Sequence, residues 1–213
     1  MPVSYIFKKM IKEEMKKLTK PVRLHVFMNT DDDTQNYTYT MSVLRAYEES
    51  SNGMLKIEEH SIRNNSNIAD KYKIDRVPTI LFIDEEGNEL IRYLSAPQGS
   101  EIKPFIEAIL IFAGAPNYYD RTVKANLDKL KYSTIKVMVT NSCAYCPQMV
   151  SIASRLALAS EGKIKAIIVD IMENPDLGEN YDASSVPLTI INDEKTITGM
   201  TGADEVFKAL IHE

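Results

Sequence analysis

One stretch of this sequence is written twice. Ile62-Arg63-Asn64-Asn65, running through Tyr72 to Val77-Pro78, lies over Ile171-Met172-Glu173-Asn174, running through Tyr181 to Val186-Pro187. The offset is constant, since 171 − 62 and 187 − 78 both give 109. Asn65 falls on Asn174, Tyr72 on Tyr181, and Val77-Pro78 on Val186-Pro187. Upstream, Lys17-Leu18 falls on Lys129-Leu130 at an offset of 112, so a few residues of insertion separate the copies. Two matched halves of roughly 100 residues read as a tandem duplication of one compact unit. Ala113-Gly114-Ala115-Pro116-Asn117 has loop composition and sits where a linker belongs, which predicts units over residues 1–115 and 116–213.

Periodicity fills in each unit. Met10, Ile11, Met15 and Leu18 share one face of a helix over Met10–Leu18, and Pro21 ends it. Val22–Met28 has strand composition, a polar loop Asn29–Asp33 follows, and a helix is predicted near Tyr39–Glu49 with Ser51-Asn52-Gly53 as its stop. A strand over Met54–Glu59 and a short helix over Asn67–Tyr72 come next. Ile80–Ile83 and Glu89–Tyr93 flank a hairpin turn at Glu85–Asn88, and Ser100–Phe112 closes the unit as a helix. Helix, strand, helix, strand, helix, strand, strand, helix in each half makes an α/β protein. Its mixed sheet has βαβ crossovers and a closing hairpin in each unit.

The two units differ in one respect that carries chemistry. Cys143 and Cys146 are the only cysteines in the 213 residues, and they stand as Cys143-Ala144-Tyr145-Cys146 between an apolar strand, Ile135–Val139, and a helical segment carrying Met149, Val150, Ile152, Ala153, Leu156 and Ala157. Two thiols at a strand-to-helix turn are the setting that makes C-x-x-C a redox motif. Two buried inert thiols, or half of an intermolecular metal site, are the other readings of the same pair. No secreted-type disulfide framework exists, because both cysteines lie in one motif. His25, His60 and His212 show no ligand spacing to the cysteines, so no metal ligand is assigned. A net charge of −5 speaks against a nucleic-acid footprint. No apolar run approaches the roughly 20 residues of a membrane helix, and Met1–Lys20 lacks the apolar core of a signal peptide, so a cytoplasmic location is expected.

A strand, C-x-x-C at a helix start, and Val-Pro ahead of a later strand together resemble the thioredoxin/glutaredoxin superfamily. Two such units in one chain of this length resemble the glutaredoxin-like protein disulfide oxidoreductases of archaea and thermophilic bacteria. That resemblance implies two tandem thioredoxin-like domains, each a mixed sheet flanked by helices, joined into one sheet through their edge strands. It also implies a cis peptide at Val186-Pro187, facing the dithiol, and another at Val77-Pro78. Members commonly carry C-x-x-C in both units, whereas here the first unit has none. Subtracting 109 from the cysteine positions gives Thr34 and Tyr37, and the strand-based offset gives Thr30 and Asp33. Ala144-Tyr145 between the cysteines is closer to the Pro-Tyr of glutaredoxins than to the Gly-Pro of thioredoxins. The buried Asp that thioredoxins place six residues before the first cysteine is Val137 here. The group that takes the proton from the second thiol is therefore unassigned.

The expected chemistry follows from these positions. Cys143 at a helix start is the nucleophile, because unpaired N–H groups there favour a thiolate. Cys146, one turn on, resolves the mixed disulfide, and the two cycle between dithiol and disulfide. Tyr145 between them, and the Val186 backbone beside Pro187, are the expected substrate contacts, Val186 by strand addition. No bound cofactor is required, since the dithiol carries the electrons. The expected partners are protein disulfide substrates and a thioredoxin-reductase-like flavoprotein. A variant is donation to a peroxiredoxin, after a second resemblance, to the N-terminal part of the alkyl hydroperoxide reductase flavoprotein. The rivals are a non-catalytic thioredoxin-fold binding protein and a dimer bridged by a metal or iron–sulfur cluster. Thr201-Gly202-Ala203-Asp204 matches a glutathione-holding segment only at Gly202 and Asp204, so Asp204 reads as a helix N-terminal residue. Asp31-Asp32-Asp33 lacks the spacing of a calcium loop and reads as a solvated loop. Tyr37, Tyr39, Tyr118 and Tyr119 read as packing or linker residues.

Overall fold

The computed structural model describes residues 5–29, 35–64 and 66–211. In the first half, α1 (Tyr5–Met15), β1 (Val22–Met28), α2 (Gln35–Ser50), β2 (Leu55–Ser61), α3 (Ser66–Lys71), β3 (Thr79–Ile83), β4 (Glu89–Tyr93) and α4 (Ile102–Phe112) follow in order. The second half repeats them as α5 (Asp120–Lys124), β5 (Ser133–Val139), α6 (Cys146–Ala159), β6 (Ile164–Asp170), α7 (Pro175–Asn180), β7 (Leu188–Ile191), β8 (Lys195–Thr198) and α8 (Ala203–Leu210). All eight strands belong to one sheet, in the order β2-β1-β3-β4-β6-β5-β7-β8. Within each half a parallel pair is followed by two antiparallel steps, and β4 joins β6 in parallel across the middle. The chain is therefore α/β with a mixed central sheet flanked by helices, continuous through one edge strand of each half.

Strand alternation decides what covers each face. In β5, Ile135, Val137 and Val139 point into a core with the apolar sides of α4 and α6, while Met138 joins a second cluster on the opposite face. In β1, Leu24, Val26 and Met28 enter the same large core with α1 and α2, and Phe27 packs on the other face with α3. The large core runs without a break through both halves. Phe105 lies at its centre, with ring centroids 5.1 Å from Tyr47, 5.8 Å from Phe82 and 5.0 Å from Tyr93. Polar contacts add to the junction. The buried Asn174 side chain donates to the Leu94 carbonyl oxygen at 2.6 Å, and Arg76 pairs with Asp176 at 3.1 Å.

Two sequence readings change. The first helix ends at Met15 rather than Leu18, because the N–H groups of Lys17 and Leu18 reach only three residues back as the chain turns toward Pro21. Leu18 still packs on the core. The closing helix begins at Ile102, after a 3-10 turn over Gly99–Glu101. Aligning the strands, 133 − 22 gives 111 between β1 and β5, and 164 − 55 gives 109 between β2 and β6. Thr30, the Asp31–Asp33 run, Thr34, Asn65 and His212 lie outside the described residues.

Deleting the central ring tests the shared core. Phe105→Ala is expected to cost about 3–5 kcal/mol in urea unfolding, read by circular dichroism.

Candidate functional site

β5 delivers the chain to the site. It ends at Val139, and Thr140–Tyr145 turn the backbone into α6, which begins at Cys146. Pro147 occupies the first turn, where the missing N–H costs no hydrogen bond. Cys143 and Cys146 are joined in a disulfide with Cα atoms 5.5 Å apart. The two sulfurs are not equivalent. Cys146 is fully buried, while Cys143 is half-buried and its Sγ accepts the Cys146 backbone N–H at 3.0 Å. Cys143 thus stands just outside the helix it was expected to start, aimed at one of its free N–H groups.

The proline loop enters at the same end of the sheet. β7 begins at Leu188 opposite Met138, so Val186-Pro187 lies across from the point where β5 gives way to the cysteine loop. Both Val186-Pro187 and Val77-Pro78 are cis. Pro187 is buried, Val186 is half-buried, and Gly199 donates its N–H to the Pro187 carbonyl oxygen at 2.8 Å. Tyr145 is 61 % exposed, and Met172 and Met200 are further large apolar side chains on the surface. Asp204 falls in the first turn of α8, whose N-cap is Gly202. Of the four tyrosines read as packing or linker residues, Tyr37, Tyr39 and Tyr119 pack on the core, whereas Tyr118 is 81 % exposed and stacks on Arg155.

The first half supplies one wall of the cysteine loop. Ser100 donates its N–H to the Asn141 carbonyl oxygen at 3.0 Å, and its hydroxyl reaches the Thr140 carbonyl oxygen at 3.4 Å. Gly99 holds a left-handed φ of +56°, and a side chain there would collide with the Asn141 carbonyl oxygen. This turn, packed against α6, carries a residue that sequence reading passed over. Glu101 is 2 % exposed, with Oε2 buried and unpartnered among the described residues. Burial, and then the charge of Asp170, push its carboxyl up to about 8. Asp170 is itself fully buried at the end of β6, opposite Val139, and burial raises it too. Glu173 is pushed up to about 7 by burial and by Asp170. Glu101 also acts on the buried phenols of Tyr47 and Tyr93, whose raised values come from burial first and Glu101 second. A carboxyl group held near neutrality can accept and return a proton at working pH. The thioredoxin-type Asp is absent at Val137, which lies wholly in the core. Nothing in Gly99-Ser100-Glu101-Ile102 distinguishes Glu101 from an exposed first-turn acid, because segments distant in the chain, those of Tyr47, Tyr93 and Asp170 among them, create its surroundings.

Comparisons with known proteins agree with this geometry. Residues 133–212 match the thioredoxin domain family. A protein disulfide oxidoreductase from Aeropyrum pernix superposes with a TM-score of 0.86 at 25% identity, covering 99% of this chain and 93% of its own. A variant of the alkylhydroperoxide reductase protein AhpF from Enterococcus faecalis gives 0.86 at 24% identity, covering 99% and 100%. Sso1120 from Sulfolobus solfataricus gives 0.63 at 19% identity, covering 91% and 99%. No curated protein sequence matches. The chain thus resembles the protein disulfide oxidoreductases along its whole length, with a thioredoxin fold and a C-x-x-C pair.

The Glu101 environment has a consequence for stability. Its folded pKa of about 8 exceeds the ordinary carboxyl value of 4.5, so the folded chain holds this proton more tightly than the unfolded one. That contribution is fully present below 4.5 and is lost as pH rises toward about 8. Glu101→Gln is therefore expected to gain stability over the parent as pH rises from 5 to 8, read from urea midpoints across that range.

Proposed function

We propose that this thioredoxin-fold chain is a thiol–disulfide oxidoreductase that reduces or exchanges protein disulfides through Cys143 and Cys146. The observation that carries the reading is the asymmetry of the pair: the accessible Cys143 sulfur accepts a helix-start N–H, and the Cys146 sulfur is buried behind it. In the reduced protein that N–H and the helix dipole stabilise the Cys143 thiolate and lower its pKa. Cys143 attacks one sulfur of the substrate disulfide, forming a mixed disulfide and releasing the other sulfur as a thiolate. Cys146 then loses its proton and attacks the Cys143 sulfur, which releases the second substrate thiol and leaves Cys143–Cys146 oxidised. Two electrons pass to the substrate, and an external dithiol returns them. Glu101 is the buried group suited to take the Cys146 proton, replacing the carboxylate that the redox half lacks at Val137.

Substrate contacts follow the same plan. An extended peptide pairs with the Val186 backbone beside Pro187 and lies against the exposed ring of Tyr145. The residue 115/116 boundary divides a dithiol-free docking unit from a redox unit. A cytoplasmic setting with a thioredoxin-reductase-like flavoprotein as reductant fits a dithiol that must be kept reduced. The likeness to the alkylhydroperoxide reductase protein AhpF favours a second reading, in which a peroxiredoxin is the acceptor.

Insulin reduction with dithiothreitol as electron source tests the proposal. The native chain is expected to accelerate it, and Cys143→Ser is expected to return the rate to that of dithiothreitol alone. Glu101→Gln is expected to retain insulin binding but lose the rate inflection near the Glu101 value of about 8. Acceleration of a peroxiredoxin cycle without insulin reduction would select the second reading. Neither activity would leave the non-catalytic binding role.

A further inference from the structure

The thiol-free half carries a donor cluster of its own. His25 on β1 and His60 on β2 are far apart in sequence, but the strands pair in parallel with His25 opposite Glu58 and Phe27 opposite His60. Alternation along β2 puts Glu58 and His60 on one face, where His25 meets them. His25 Nδ1 and His60 Nε2 are 2.9 Å apart, and Glu58 Oε1 is 3.8 Å from His60 Nε2. The three donor atoms lie within 4.8 Å of one another.

We propose that His25, Glu58 and His60 bind a divalent transition-metal ion, with zinc as the probe. Two donors at zinc–ligand distances in a tetrahedral site stand roughly 3.3 Å apart. The observed separations bracket that value, so a pivot of the two imidazoles opens room for the ion. The surroundings hold the donors in place. His60 is 7 % exposed and stacks on Phe27 with centroids 5.0 Å apart. Arg23 engages Glu58 Oε2 at 3.3 Å, which leaves Oε1 turned to the histidine. His25 and Glu58 are only half-buried, so solvent completes the coordination from outside. Two imidazoles and one carboxylate suit zinc and its neighbours, whereas calcium and magnesium require mainly oxygen donors. The fold does not impose this set. By the offsets of 111 and 109, the redox half places Lys136, Ile167 and Val169 at the same positions, and that Lys136 instead pairs with Asp193 and Tyr181.

The test uses the full chain with the Cys143–Cys146 disulfide closed, so that thiolates cannot bind the metal. Titration calorimetry with zinc chloride is expected to give one saturable site, and cobalt(II) is expected to show visible ligand-field absorption. Glu58→Gln and His25→Gln are each expected to weaken zinc binding at least about tenfold, with unchanged circular dichroism. A Cys143→Ser/Cys146→Ser double variant is expected to bind as the parent does. No saturable binding by the disulfide form, or binding that either substitution leaves unchanged, would overturn the proposal.

Discussion

The parallel pairing of β4 with β6 fixes where everything else must be. Ile91, Arg92 and Tyr93 lie in register with Ala166, Ile167 and Ile168, so the two half-sheets become one surface. Leu94 continues the ladder by donating to the Ile168 carbonyl oxygen at 2.9 Å. The chain leaving β4 crosses to the end of the second half, where the Ser100 N–H meets the Asn141 carbonyl oxygen. That route brings Gly99-Ser100-Glu101 against the loop that carries the dithiol. A first half without cysteines thereby builds part of the site in the second.

A dithiol at a helix start needs a thiolate at one sulfur and a proton acceptor near the other. In the proposed cycle the redox half supplies the first from its own backbone, through the Cys146 N–H that reaches the Cys143 sulfur. Its core strand offers only Val137 where a carboxylate would serve the second. In the proposed cycle Glu101, a buried carboxyl of the neighbouring half coupled to Tyr47, Tyr93 and Asp170, serves the second. In apolar surroundings such a group sits near neutrality, where proton exchange is efficient.

The parts legible in the sequence are those set by neighbouring residues. Apolar alternation in Ile135–Val139, the helical period after Pro147 and the Val-Pro repeat place the strand, the helix and the second loop, and the dithiol falls between them. Helix ends are less legible. Leu18 keeps its core contact without keeping helical hydrogen bonds, so its apolar period outlasts the helix itself. Glu101 and the His25–Glu58–His60 group are illegible because sheet pairing between distant segments creates their surroundings. No local pattern records that pairing.

The account rests on Cys143 as attacking sulfur and Cys146 as resolving sulfur, and trapping the intermediate tests this most directly. Reduced Cys146→Ser protein, mixed with a disulfide-bonded peptide and analysed by mass spectrometry, should accumulate a mixed disulfide at Cys143. The Cys143→Ser protein should accumulate none. Equal trapping by both variants, or trapping only at Cys146, would contradict the assignment and the mechanism built on it.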